Sequence, residues 1–192
     1  MASEAEAPEQ PAPPSELSAD ERARRDAAMS YVRRLGDPVL KTRALPVSRF
    51  DEELRKQVDW MRDLMDGALG VGLAATQVGI VERVLVYRVE HDSPIVAVIN
   101  PEIEWRGSEL ETAEEGCLSI PGVHVDVERN LHVRVGAVDE TGTPFKIEAS
   151  GLEARVLQHE IDHLDGVLML DRTTREQRRD AMRTWRELQL PG

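Results

Sequence analysis

The pentapeptide His-Glu-Ile-Asp-His, which begins at His159, constrains the fold of this chain more than any other stretch. On an α-helix, residues four apart lie on the same face, so the side chains of His159 and His163 can bind one metal ion while Glu160 reaches the same site. At about 100° per residue, Leu152 and Val156 fall on this face as well. The motif therefore predicts a helix with a metal site on one face, and we expect that face to be buried.

The only cysteine of the chain, Cys117, is a third candidate ligand. It follows Gly116 in the stretch Glu-Gly-Cys-Leu-Ser, where glycine lets another backbone approach closely. Its thiolate could complete a set with the two histidines and leave a fourth position for water. Taken singly, two histidines on a polar helix also occur by chance, and a buried lone thiol needs no metal.

A third stretch, Gly-Val-Gly-Leu-Ala-Ala-Thr-Gln at residues 70–77, makes a family resemblance specific. In order and spacing, this stretch and those at 115–119 and 159–166 resemble the three signature motifs of the peptide deformylases, without a departure in any of them. The resemblance extends over residues 36–170, which is most of the chain. It implies a cytoplasmic enzyme that removes the formyl group from the N-terminal formyl-methionine of newly made proteins.

The expected chemistry is attack of a metal-activated water on the formyl carbon. Glu160 would take the proton of that water and deliver it to the departing amine. The resemblance assigns the Gln77 side-chain amide and the Leu118 backbone N–H to the negative charge that develops on the formyl oxygen. Asp162 and Asp165 either orient a ligand histidine or fix the end of the helix.

An apolar pocket for the methionine side chain must lie beside the metal. Leu152 and Val156 are its expected wall, and Val71 and Gly72 its other side, with Gly72 bringing backbone close enough to hydrogen-bond the peptide. The resemblance favours Fe(II) as the metal in the cell, with Zn(II), Ni(II) and Co(II) as alternatives. A thiolate ligand would make a redox-active ion sensitive to oxygen.

The composition changes along the chain and predicts four segments. The first is rich in Ala, Pro and Glu and too poor in large apolar side chains to order itself, whereas Ser18 and Glu21 next offer a capping box. The predicted segments are a disordered leader (1–18), a helical extension that continues to Leu35 (19–35), a catalytic domain (36–172), and a C-terminal helix and tail (173–192).

The middle of the chain predicts strands at 84–87, 95–99, 123–127, 131–138 and 145–147. Residues 123–127 alternate with period two, which is typical of half-buried antiparallel sheets. Ahead of the strands, apolar side chains recur every three or four residues from Leu54 to Met65 and predict a core helix. The fold class is therefore α+β, with mostly antiparallel sheets packed around the helix that carries the two histidines, and with a C-terminal helix.

The net charge of the chain limits the kinds of partner that it can bind. A formal net charge of -12 argues against general nucleic-acid binding, and no apolar run approaches the ~18 residues of a membrane span, so we expect no membrane contact. The sequence leaves the oligomeric state open, with a monomer as the default. One local exception is a stripe of arginines predicted along the C-terminal helix: Arg172, Arg175, Arg179, Arg183 and Arg186. Such a stripe is either a solvated face or a contact to ribosomal phosphates near the emerging substrate.

Two other functions are compatible with parts of the pattern. A metallopeptidase with the same helix motif would take a downstream carboxylate such as Glu187 as its third ligand, but this leaves Cys117 and Gln77 without a role. A non-catalytic module that binds nascent chains or ribosomes need not keep both Glu160 and Gln77. The amide-hydrolase function that the resemblance implies gives a role to Cys117, Gln77 and Glu160 alike.

Overall fold

The fold of this computed structural model, which describes residues 17–190, places one helix between two antiparallel sheets. The helices are α1 (Ala19–Met29), α2 (Glu52–Gly67), α3 (Gly151–Leu164) and α4 (Arg175–Leu188). The strands are β1 (Gly72–Ala74), β2 (Val84–Tyr87), β3 (Val96–Arg106), β4 (Leu110–Gly116), β5 (His124–Asn130), β6 (His132–Val138) and β7 (Pro144–Ser150). The predicted α+β class is thereby confirmed.

The larger sheet has the order β1-β2-β3-β6-β7, and all of its pairs are antiparallel. Strand β2 is buried on both faces because its side chains alternate: Val84 and Val86 join the core cluster with α2, whereas Leu85 and Tyr87 join the cluster with α3. The apolar stripe of α2 fills the first cluster, as its spacing predicts. Each face of the sheet thus carries one helix.

Helix α3 is buried on all sides from Ala154 to Leu164. Its apolar residues, including Leu157 and Ile161, pack on the larger sheet, while its polar side chains face the rest of the domain. Immediately after α3, Gly166 takes a φ of 73°, and a methyl group there would lie 2.7 Å from the Lys41 carbonyl oxygen. A side chain is excluded at this position, so the helix ends where the sequence predicts.

In the described part of the chain, the second sheet consists of β4 and β5. Strand β4 is not predicted by the sequence because its segment, Leu-Glu-Thr-Ala-Glu-Glu-Gly, lacks apolar alternation, and Glu115 is its one buried side chain. A third core cluster joins β5 to α4, where Ala181 and Trp185 are buried. Leu188, at the end of α4, is 54% exposed.

Strand β3 is longer than predicted. The Asn100-Pro101 pair is a typical turn signal, but here Asn100 adopts a φ of 52° and the strand continues through a register shift. The Asn100 side chain donates to the Val47 carbonyl and accepts from the Val47 N–H, at 2.9 and 2.7 Å. These tertiary hydrogen bonds stabilise a backbone that the local sequence alone does not favour.

The prediction that α1 continues to Leu35 is wrong. Its start is capped as predicted by Ser18 and Glu21, but the helix ends at Met29. Beyond it, the Arg33 N–H donates to the Gln77 carbonyl at 2.7 Å and the Leu35 N–H donates to the Ser119 carbonyl at 3.0 Å. These long-range bonds replace the intrahelical ones. Most of the predicted disordered leader, residues 1–16, lies outside the described residues.

Within residues 17–190, no helix is both long and apolar enough to cross a membrane.

Candidate metal centre and active site

Three ligand atoms meet at the buried face of α3. The Nε2 atoms of His159 and His163 are 3.2 Å apart, and the Sγ atom of Cys117 lies 3.2 Å from the His163 Nε2. All three atoms lie within 4.8 Å of one another. The helix brings the two histidines together, whereas Cys117 arrives from the turn that follows β4.

The spacing of these atoms fits a metal ion. Metal–nitrogen bonds of about 2.0–2.1 Å in a tetrahedral site place two nitrogen ligands about 3.3 Å apart. The separation of the two imidazole nitrogens is 3.2 Å. A deprotonated thiol and two imidazole lone pairs held at these distances would repel one another. A cation bound to all three would remove that repulsion.

Glu115 orients the first histidine. Its Oε2 accepts a hydrogen bond from the His159 Nδ1 at 2.9 Å, so the proton of the ring lies on Nδ1 and the lone pair of Nε2 faces the cluster. Burial opposes ionisation of Glu115, but hydrogen bonds from His159 and Arg129 outweigh it and bring the pKa of Glu115 to about 2. Glu115 is therefore a permanent acceptor behind His159.

Two buried arginines surround this carboxylate. Arg129 donates to both Glu115 oxygens at 2.9 and 3.0 Å, and Arg155 donates to its Oε1 at 3.0 Å. Arg129 also pairs with Asp162 at 2.5 Å, which in turn pairs with Arg172. Burial disfavours the charge of Arg129, but its two carboxylate partners raise its pKa above the ordinary value.

Asp162 and Arg172 belong to this network, whereas Asp165 does not. Asp162 contacts two arginines and no ligand histidine, whereas Asp165 pairs near the surface with Arg83 at 2.7 Å. The expectation that Arg172 belongs to the stripe on the last helix is wrong, because it precedes α4 and donates to Asp162 at 2.6 and 3.0 Å. Sequence reasoning also misses Glu115, although it opens the second motif, and Arg129, for which we find no local signal.

Glu160 lies beside the cluster and beneath β1. It is 4% exposed, and its Oε2 has no hydrogen-bond partner among residues 17–190. Burial raises the pKa of Glu160 to about 7, although His159 lowers it when its ring carries a second proton and is charged. A methyl group at Gly72 would lie 2.8 Å from both Cγ and Cδ of Glu160, so only glycine leaves room for this carboxylate.

Gln77 presents its amide protons to the cluster. Its Oε1 accepts from the Ala74 N–H at 2.9 Å, which directs its Nε2 towards Ser119 Oγ and Cys117 Sγ, at 3.3 and 3.5 Å. The Leu118 N–H donates to none of the described residues. Both donors thus border the site, one from a side chain and one from the backbone.

A cleft of about 550 Å³ opens onto this site. Its lining includes all four residues expected to contact the substrate: Val71, Gly72, Leu152 and Val156. Val156 is buried, but Leu152 is 39% exposed and Val71 is 41% exposed, so the expectation that the whole ligand face of α3 is buried is wrong at Leu152. Leu152 begins the first turn of the helix, at the open rim of the cleft.

The remaining candidate residues lie elsewhere. Glu187 is exposed on α4 and is not part of the ligand cluster. The arginines of α4 are exposed, and two of them pair with Asp180: Arg179 at 3.6 Å and Arg183 at 3.2 Å. The stripe is therefore partly neutralised within its own helix.

Comparisons with known proteins agree on one family. A family model described as polypeptide deformylase matches residues 29–179. A peptide deformylase of Picosynechococcus is 45% identical over 159 residues, covering 81% of this chain and 85% of that protein. One from Thermotoga maritima is 49% identical over 144 residues, covering 75% and 87%. Among solved structures, the peptide deformylase of Synechococcus elongatus superposes with a TM-score of 0.77 at 45% identity, covering 80% of this chain and 85% of that one.

Proposed function

Because the chain belongs to the polypeptide deformylase family, we propose that it hydrolyses the formyl amide at the N-terminal formyl-methionine of newly synthesised proteins. The observation that carries this proposal is the ligand cluster of Cys117, His159 and His163, which opens on the same cleft as Glu160 and Gln77. Hydrolysis of an amide needs a proton acceptor and a donor for the developing anion. The cleft contains one side chain of each kind.

The three clustered residues would hold one divalent cation. Bound there, the cation would supply Lewis acidity and a lowered pKa for water. Imidazole and thiolate ligands suit iron, zinc, nickel and cobalt, and within this set we propose Fe(II), which the family resemblance favours. Metal-free protein reconstituted anaerobically with Fe(II) should then be more active than the Zn(II) form and should lose activity in air. Equal, air-stable activity of the two forms would contradict the choice of iron.

Glu160 is the proposed proton carrier. Its unpartnered Oε2 would accept the proton of the attacking water and return it to the amine nitrogen, which must be protonated to leave. The Gln77 amide and the Leu118 N–H would donate to the formyl oxygen as it becomes negative. Removal of one such donor typically costs about 3 kcal/mol of transition-state stabilisation.

The methionine side chain would occupy the cleft between Val156 and Leu152 on one side and Val71 on the other. Strand β1, which contains Gly72, is the terminal strand of the larger sheet, so its outer edge has no strand partner among residues 17–190. A substrate peptide could add to that edge as a further strand, with backbone hydrogen bonds that do not depend on sequence. Such binding suits an enzyme that must process many different proteins.

A formate-release assay on formyl-Met peptides tests the proposal. We expect release by the metal-loaded protein and almost none by Glu160→Ala, with metal content measured in both. Retained metal in the inactive variant would separate the loss of the proton carrier from the loss of the cation. No formate from fully metallated wild-type protein would refute the enzyme function and leave a binding role.

We propose, secondly, that α4 holds the enzyme weakly to the ribosome, and hence in the cytoplasm, through Arg175, Arg179, Arg183 and Arg186. Exposed arginines on one helix can neutralise backbone phosphates of RNA, and such binding falls steeply with salt. The ion pairs to Asp180 reduce the available charge, so we expect contact only at low ionic strength.

Co-sedimentation with ribosomes tests the role of α4. The triple variant with Arg175, Arg179 and Arg183 changed to Glu should sediment less. A control with the same change in charge replaces exposed basic residues elsewhere by Glu: Arg22, Lys56 and Arg106. Equal sedimentation of both variants and wild type, or none by wild type at low salt, would show that the arginines form only a solvated face.

A further inference from the structure

Helix α1 lies ahead of the segment that matches the family, which begins at Met29, yet it is docked on the domain. Arg24 pairs with Asp66 at the end of α2, at 2.5 Å. Ala28 packs against Gly67, where a methyl group would lie 3.1 Å from the Ala28 Cβ. Both contacts fix the same face of α1 against the end of α2.

The neighbouring face of α1 borders the substrate cleft. Arg25 and Met29 each follow one of the docked residues by one position, which turns them by about 100° around the helix. Together with Leu17, they line the same cleft of about 550 Å³ as Leu118 and Glu160. An element outside the family match therefore forms part of the wall along which a substrate must leave the site.

Arg25 is unusual among the arginines of this acidic chain. It is half-buried, but it makes no ion pair with any carboxylate among residues 17–190. Arg34 is likewise half-buried, and within residues 17–190 its side chain makes one hydrogen bond, to the Leu118 carbonyl at 3.1 Å. By contrast, the other buried or half-buried arginines all have carboxylate partners: Arg62, Arg83, Arg88, Arg129, Arg134 and Arg155.

The guanidinium groups of Arg25 and Arg34, neither of which pairs with a carboxylate of residues 17–190, act on each other. Burial lowers the pKa of Arg34, and the positive charge of Arg25 lowers it further. Two half-buried cations that repel one another form a place where an anion is stabilised, because it would relieve both the repulsion and part of the desolvation. Of the two, Arg25 lines the cleft and offers it a positive charge, while Glu114, Glu115 and Glu160 also belong to the lining.

We propose that Arg25 binds an acidic side chain of the substrate immediately downstream of the formyl-methionine. The inference rests on the proposed deformylase activity and deepens it by naming a preferred substrate class. An extended peptide advances about 3.3 Å per residue, so its second and third residues are the first that lie beyond the catalytic cluster. Arg25 is then a specificity-determining residue, and α1 is part of the substrate site.

Competition between matched formyl peptides tests this assignment. The substrates carry Glu, Gln or Lys at the second and third positions and are otherwise identical. We expect wild type to favour Glu over Gln by about fivefold in kcat/KM at low ionic strength, the upper end for an ion pair that keeps contact with solvent. The preference should lie in KM and should shrink as salt is added, because salt screens partly exposed charges.

Variants of α1 separate charge from structure. Arg25→Gln should bring the Glu/Gln ratio close to one, Arg25→Lys should restore most of it, and Arg25→Glu should invert the preference in favour of Lys. The control is Arg22→Gln, which removes the same charge from the same helix one turn earlier, where the side chain is exposed and does not line the cleft. This control should keep the wild-type ratio.

The outcomes distinguish the two levels of the proposal. If wild type releases no formate from the Gln peptide, the deformylase function itself fails. If it processes all three peptides with equal kcat/KM, or if Arg25→Gln keeps the preference of wild type, only the role of Arg25 is refuted. Thermal unfolding of each variant checks that α1 remains docked.

Discussion

Gly72 and Glu160 offer a sharp test of how the active site is packed. Replacing Gly72 by Ala adds a methyl group that would lie 2.8 Å from both Cγ and Cδ of Glu160, and nearer still to its Oε1. Gly72 has no positive φ, so alanine causes no backbone strain there. Glu160 is 4% exposed and has no open solvent into which to turn. The substitution therefore acts on the position of one carboxylate.

The size of the effect follows from the displacement. Ordinary van der Waals contact begins at 3.4 Å, so carbon atoms of Glu160 must move by about 0.6 Å and its oxygen by more. A misplacement of about 1 Å in a reacting group costs about a hundredfold in rate. We expect Gly72→Ala to lower kcat/KM for formyl-Met peptides about a hundredfold, or ~2.7 kcal/mol in the barrier.

The chain contains a matched control. A methyl group at Gly136 in β6 would meet Glu104 in the same way, with Cδ at 2.9 Å and Cγ at 3.3 Å. Glu104 is exposed, so its carboxylate can turn into solvent, and Gly136→Ala should keep near wild-type activity. Formate release and metal content are measured for both. Activity of Gly72→Ala within threefold of wild type, or equal losses in both variants, would refute the reasoning.

Four further outcomes are expected. Glu115→Gln leaves two buried arginines without a full counter-charge and should lower the free energy of unfolding by about 3 kcal/mol, with metal affinity about tenfold weaker, measured by denaturation and by chelator competition. Cys117→Ala should abolish stoichiometric metal binding whereas Glu187→Ala should not; the reverse result would favour a metallopeptidase. Val156→Phe should raise KM for formyl-Met peptides, and unchanged kinetics in the folded variant would remove Val156 from the pocket. Because Glu160 accepts a proton only when ionised, kcat/KM should fall with decreasing pH, with a midpoint below the pKa of about 7 that burial produces, since a bound cation lowers that pKa.

The sequence by itself determined the elements whose cause is local. Two histidines four residues apart share a helix face wherever that helix lies, so half of the ligand set follows from helix geometry. The apolar stripe of α2, the alternation in β5 and the capping box of Ser18 with Glu21 are likewise short-range patterns, and each predicts its element. Cys117 is a candidate ligand because it is the only cysteine of the chain, and the family resemblance adds Gln77; no local spacing connects either residue to the helix.

Only the tertiary structure decided the features that depend on distant partners. Helix α1 ends at Met29 because backbone groups beyond it bond to residues far along the chain. Glu115 is buried in an otherwise acidic, exposed strand because Arg129, Arg155 and His159 meet it there, and an isolated segment gives no sign of them. A charged side chain is stable in the interior only when its counter-charges are already positioned. Where those counter-charges lie is a property of the fold.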